Sequence, residues 1–153
     1  MRFVTYAVPD EAATEMATAV HLSFGQHITL NGYTLNDDQF VPGDIVQVTL
    51  FWQTAEHLNQ RYKVFLHLID ASGQTIAQRD SEPGGGLNLT TIWQPGQVIS
   101  DNHGLLIPAG VPPGQYTILL GLYDIADPTA RLPITTNEGT YEVISLVTFQ
   151  LGN

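Results

Sequence analysis

The stretch from Ile45 to Gln53 does most to limit what this chain can become. Its even positions, Val46, Val48, Leu50 and Trp52, are all apolar; Gln47, Thr49 and Gln53 alternate with them, and Phe51 is the apolar exception. A repeat of two marks an extended strand with one buried face, whereas a helix needs a repeat near 3.6. Pro42-Gly43-Asp44 supplies the turn in front of it. A sheet with one apolar face must be covered by a second layer.

The pattern recurs along the chain. Tyr62 to Asp70 is apolar on both faces, with Val64, Leu66 and Leu68 on one and Phe65 and Ile69 on the other, which predicts a central strand covered on both sides. Ala71-Ser72-Gly73 turns into a shorter strand, Thr75 to Asp80, followed by a Gly-rich loop over residues 81–92. That loop does not follow a strand and open a helix, so Gly84-Gly85-Gly86 makes no phosphate cradle. Beyond Trp93 and Pro95-Gly96, Val98-Ile99 and Leu105 to Ile107 read as extended. Pro112-Pro113-Gly114 starts a long strand, Gln115 to Asp124, with Ile118, Leu120 and Leu122 on its inner face. Arg131 to Thr135 is a short edge candidate, and Tyr141 to Leu151 closes the domain with strong β propensity. Residues 9–18 read as a short helical turn or a linker, so the division is 1–19 for that segment and 20–153 for the domain. Strands at this spacing, joined by Pro/Gly turns and without a long helix, predict an all-β antiparallel sandwich, Ig-like or jelly-roll-like in strand order.

Charge and cysteine usage narrow the function. At 153 residues the chain is one domain, with 5 Lys and Arg against 15 Asp and Glu and a formal charge of −10. Such a surface repels phosphate backbones and anionic lipid, which argues against nucleic-acid binding. With no cysteine there is no disulfide, no thiolate nucleophile and no Cys-ligated zinc. No apolar run approaches the roughly 18 residues of a membrane-spanning segment. Met1 to Asp10 is too short and polar for a secretory signal. The chain starts without a capped element and stops on Gly152-Asn153 after a strand, so it is expected to be a piece of a longer protein.

Several side chains could carry chemistry. Trp52 lies on the face of Val46, Val48 and Leu50, so it is expected in the core. Trp93 has two open placements, a plug over one end of the sandwich or an exposed platform on which a sugar ring stacks. Tyr33 and Tyr123 are core or rim residues by the same reasoning, and Tyr123 joins Trp93 as a candidate ligand contact. His67, between Phe65 and Ile69 on a central strand, reads as a buried histidine with a satisfied hydrogen bond. Gln78 and Asp80 share a face with Ile76 and are expected to point inward. Asp101 and His103 are two apart and point the same way on an extended chain. With Asp80 or Asp124 they would form a cation site if they converged, with calcium favoured by oxygen ligands and a transition metal by histidine. The reading preferred for Asp101 over a cation site is turn capping through backbone N–H groups. No cofactor is otherwise called for. A glycosidase-type carboxylate pair or a serine triad has no local motif here, because no serine sits in a nucleophile-elbow context. Asn88-Leu89-Thr90 matches the N-glycosylation acceptor pattern.

An ordered series of fragments resembles a known group. It runs Phe24-Gly25, Ile28, Leu30, Gly32-Tyr33, Pro42-Gly43-Asp44, Leu50-Phe51-Trp52-Gln53, Tyr62 and Val64-Phe65-Leu66-His67-Leu68. It continues with Asp70, Gly73, Gln78, Asp80, Trp93-Gln94-Pro95-Gly96, Asp101, His103 and Pro108. It ends with Pro113-Gly114-Gln115-Tyr116, Gly121-Leu122-Tyr123-Asp124 and Arg131-Leu132-Pro133. The series is similar to bacterial β-sandwich domains fused to multipass membrane glycosyltransferases of the mannosyltransferase-like type. That resemblance implies an Ig-like or jelly-roll-like sandwich in an extracytoplasmic setting and no activity of the domain itself. Pro113-Gly114-Gln115-Tyr116 is also similar to the tyrosine corner of Ig-like domains, where the Tyr hydroxyl bonds back to nearby backbone. The expectation is a non-catalytic accessory module that contacts glycan or neighbouring domains. The alternatives are an interaction domain without a small ligand and, further off, a metal-assisted hydrolase.

Overall fold

A computed structural model describes residues 18–152; of the segment 1–19 read as a helical turn or linker, 1–17 lie outside the described residues, and Thr18 and Ala19 belong instead to the first strand. Among the described residues eleven strands run in chain order: β1 Thr18–Phe24, β2 Ile28–Leu35, β3 Ile45–Thr54, β4 Tyr62–Ile69, β5 Thr75–Ser81, β6 Ile99–Leu106, β7 Gly114–Asp124, β8 Asp127–Arg131, β9 Ile134–Thr136, β10 Gly139–Tyr141 and β11 Ile144–Leu151. They form two antiparallel sheets, β10-β9-β1-β2-β3-β6 and β11-β7-β4-β5, with β8 paired to β7. Among the described residues no helix is long and apolar enough to cross a membrane.

The strand order resolves the choice that the sequence left open. β2-β3-β6 faces β11-β7-β4-β5, and the chain changes sheet after β3, after β5 and again after β6. Lettered as in Ig domains, this is A-B-E against G-F-C-C′, an Ig-like sandwich. β1 extends the first sheet, and the segment between β7 and β11 crosses over to add β9 and β10 to β1. The Tyr116 hydroxyl, at the start of β7, donates to the Pro112 carbonyl at 2.6 Å. That is the tyrosine corner in the place Ig-like folds put it.

The core lies between the inner faces. Val46, Val48, Leu50 and Trp52 of β3 meet Val64, Leu66 and Leu68 of β4 and Ile118, Leu120 and Leu122 of β7, all without solvent exposure. Each such side chain contributes roughly 1.5–3 kcal/mol by leaving water. Phe51 is buried on the opposite side of β3 and belongs to no part of this cluster.

Three local readings need correction. The strand expected at Arg131–Thr135 is two strands: β8 stays with the second sheet, and β9 has crossed to the first. Tyr141 ends β10, and the closing strand starts at Ile144. In β5, a bulge at Ile76 moves the register from Leu68↔Ala77 to Ile69↔Thr75. One extra residue inverts the alternation. Gln78 and Asp80, expected inward, therefore stand opposite His67 and Phe65 on the outer face, and Arg79 takes the inner one.

Candidate functional site

Asp101 and His103 do lie on one face, and it is the inner one. β6 pairs with β3 so that Asp101 opposes Leu50 and His103 opposes Val48. Both side chains have no solvent exposure. Asp101 Oδ2 accepts from Trp52 Nε1 at 3.0 Å and from His103 Nε2 at 2.7 Å, while Oδ1 accepts the Gly84 N–H at 2.7 Å. Arg79 Nε donates to His103 Nδ1 at 3.1 Å. An arginine can only donate, so Nδ1 accepts and the imidazole proton sits on Nε2, facing the carboxylate. A neutral imidazole thus joins a guanidinium from the second sheet to a carboxylate of the first. The Gly84 contact also fixes the 83–86 turn, where Gly84 and Gly85 hold positive φ. With its acceptors occupied and no path to solvent, the Asp101–His103 pair bridges the sheets and reaches no substrate.

This placement corrects the proposed metal and ligand sets. Asp80 lies on the outer face of the opposite sheet and does not join Asp101 and His103. Among the described residues no three His, Asp or Glu side chains converge as a metal-ligand group. Trp93 is 1% exposed, stacks on Trp52 with ring centroids 6.3 Å apart and donates Nε1–H to the Asn88 carbonyl at 2.9 Å. It plugs one end of the core and offers no face to a sugar. Trp52 is core, as its alternation indicated. The Thr90 hydroxyl of the glycosylation pattern is buried, accepts the Tyr62 N–H and donates to the Gln60 carbonyl.

The aromatic strip lies elsewhere, on the outer face of β5-β4-β7-β8. The ring of Phe65 rests directly on Gly121, where a β-carbon would come within 2.1 Å of it. A lone glycine within a strand often marks such an approach. The Arg131 guanidinium covers the ring at 4.7 Å from its centroid. His67 and Tyr123 flank it, at 5.3 and 6.1 Å between centroids. His67 is half-buried there, not enclosed in the core as the sequence suggested. The Tyr123 hydroxyl donates to Asp80 Oδ2 at 2.8 Å. Partial burial, then that hydrogen bond and the carboxylate charge, push the Tyr123 phenol up to about 12. Exposed Gln78 and half-buried Leu119 and Ile69 extend the face. Phe65, Gly121 and Arg131 are not among the site residues that the sequence suggests. The signal for the first two was a two-faced apolar strand and a glycine between Leu120 and Leu122 in another.

A cleft of about 540 Å³ opens where the sheets part on the other side of the sandwich. Val20 and Leu22 of β1, Tyr141 of β10, and Ile144 and Leu146 of β11 line it.

Neither a protein-family model nor a curated protein sequence matches the chain. Among solved structures it is similar to a Niemann-Pick type C2 protein from Japanese carpenter ant, at 6% identity and a TM-score of 0.47, over 90% of this chain and 98% of that one. It is also similar to the alkylpurine DNA glycosylase AlkC of Pseudomonas fluorescens, at 10% identity and a TM-score of 0.44, over 87% of this chain and 31% of the glycosylase. A third is AvmM, which catalyses macrocyclization in alchivemycin A biosynthesis, at 11% identity and a TM-score of 0.45, over 82% of this chain and 89% of that one. At these values none carries a function over.

Proposed function

We propose that this domain is a non-catalytic, extracytoplasmic accessory module of a longer membrane-associated protein, of the kind fused to multipass membrane glycosyltransferases, and that it contacts glycan. The observation that carries the glycan reading is the pair of half-exposed outer-face rings, His67 and Tyr123, set on either side of the buried Phe65 and ringed by Gln78, Asp80 and Arg131. Half-exposed aromatic rings meet the C–H faces of sugars, and fixed polar groups beside them meet the hydroxyls. The non-catalytic reading is supported by the burial of the Asp101–His103 pair.

The two tryptophans are buried, so fluorescence is a poor reporter. The test is a titration of isotope-labelled domain with a panel of oligosaccharides, with and without calcium, followed by amide NMR shifts. Saturable shifts at His67, Leu119, Tyr123 and Arg131, lost in a folded Tyr123→Ala variant, are expected. No response across the panel, or shifts confined to the cleft, would overturn the reading. A protein-interaction role is favoured by a different feature, Leu87 and Ile92 at 83% and 57% exposure on the loop before Trp93. Shifts at those two residues on adding a neighbouring domain of the parent protein would support it.

A further inference from the structure

In a chain with 15 acidic residues and 5 lysines and arginines, the position of each cation is informative. Two of those in the described residues are engaged: Arg61 forks onto Glu82 and Arg79 meets His103. The other two, Lys63 and Arg131, stand on the outer face in one row with Tyr123. Lys63 opposes Tyr123 across β4 and β7, and Tyr123 opposes Arg131 across β7 and β8. The two cations therefore bracket the aromatic side chain that the glycan reading depends on.

Arg131 is exposed yet held. Its guanidinium lies over the Phe65 ring, and that ring is fixed against Gly121. An arginine already held against a ring has less freedom to lose on binding and keeps a planar set of donors that matches carboxylate or sulfate oxygens. Two acids beside this row have fixed partners: Asp80 accepts the Tyr123 hydroxyl, a bond that orients the carboxylate without neutralising it, and the Arg61 fork holds Glu82 below the usual carboxylate range, with Lys63 adding a smaller effect. Acids farther away matter less, because salt screens exposed charges beyond about 8 Å at physiological ionic strength.

Building on the glycan reading, we propose that the ligand is an anionic glycan, whose carboxylate or sulfate group is received by Arg131 and Lys63 while its sugar ring lies against Tyr123 and His67. The local cation pair selects against neutral sugars, and the acidic remainder of the surface limits binding to this row.

The test is calorimetric titration with oligogalacturonate, its methyl ester, a sulfated chondroitin oligosaccharide and neutral oligosaccharides. Binding to at least one acidic ligand is expected, weakened by added salt. Lys63→Gln and Arg131→Gln should each weaken it about tenfold or more, the loss of a charge-assisted hydrogen bond. Lys63→Gln leaves the Phe65 stack untouched and so separates lost charge from lost packing. A preference for oligogalacturonate over the sulfated ligand assigns the carboxylate, and the reverse assigns the sulfate. If the methyl ester binds as tightly as the acid, or neutral sugars bind and acidic ones do not, the inference is overturned and the glycan reading stands. If nothing binds, both fall.

Discussion

Replacing Asp101 with alanine should be among the most damaging single changes in this domain. The carboxylate accepts from Trp52 Nε1, His103 Nε2 and the Gly84 N–H. The first two donors are buried and have no other acceptor in this geometry. A stranded buried donor costs about 1–3 kcal/mol, so Trp52 Nε1 and His103 Nε2 together cost about 2–6 kcal/mol. The Gly84 N–H at the loop can turn to water. The expected loss of about 2–6 kcal/mol compares with a usual stability of about 5–15 kcal/mol. With a urea slope of about 2 kcal/mol/M, the unfolding midpoint falls by about 1–3 M. Asp101→Asn should recover about 1 kcal/mol at most, because one half of an amide donates where the site offers only donors. An Asp101→Ala midpoint within about 0.5 M of the parent, at unchanged slope, would refute this reasoning. It would mean that water reaches Trp52 and His103, or that the bridge adds nothing to stability.

Gly121→Ala should destabilise by about 1–3 kcal/mol, because the new methyl collides with the Phe65 ring; thermal unfolding reads this, and an unchanged melt would show that Phe65 moves aside without cost. Tyr123 should titrate late in ultraviolet absorbance, near its raised value of about 12. Its folded value lies above the ordinary 10, so its contribution to stability is complete below pH 10 and is lost as pH rises through 12. Tyr123→Phe should remove that late component, and a titration unchanged by the substitution would disprove the assignment.

What the sequence disclosed depended on whether a signal was local. The alternation of β3 and the two-faced β4 were legible because side-chain period and burial coincide there. The tyrosine corner was legible because its donor and acceptor are four residues apart. β6 carried a readable signal as well: Ile99, Asp101, His103, Leu105 and Ile107 share one face, which makes the two polar residues an interruption of an apolar row. Their partners were not legible, since Trp52 lies 49 residues from Asp101 and Arg79 lies 24 from His103. The β5 bulge hid Arg79 and misplaced Asp80 together, because no residue type announces an extra residue at Ile76. Arg131 could not be matched to Phe65 without knowing that β8 remains on the second sheet while β9 leaves it.

The bridge from Arg79 through His103 to Asp101 ties together β5 and β6, which stand at the margins of their respective sheets. The opposite margins, β10 and β11, meet across the cleft. The sandwich is thus pinned at both margins by different means: a polar spine joins β5 to β6, while on the other side the end of β11 is held to the β2–β3 connection through Leu151 and Gly152 on Phe40, and the cleft opens beside its start at Ile144 and Leu146.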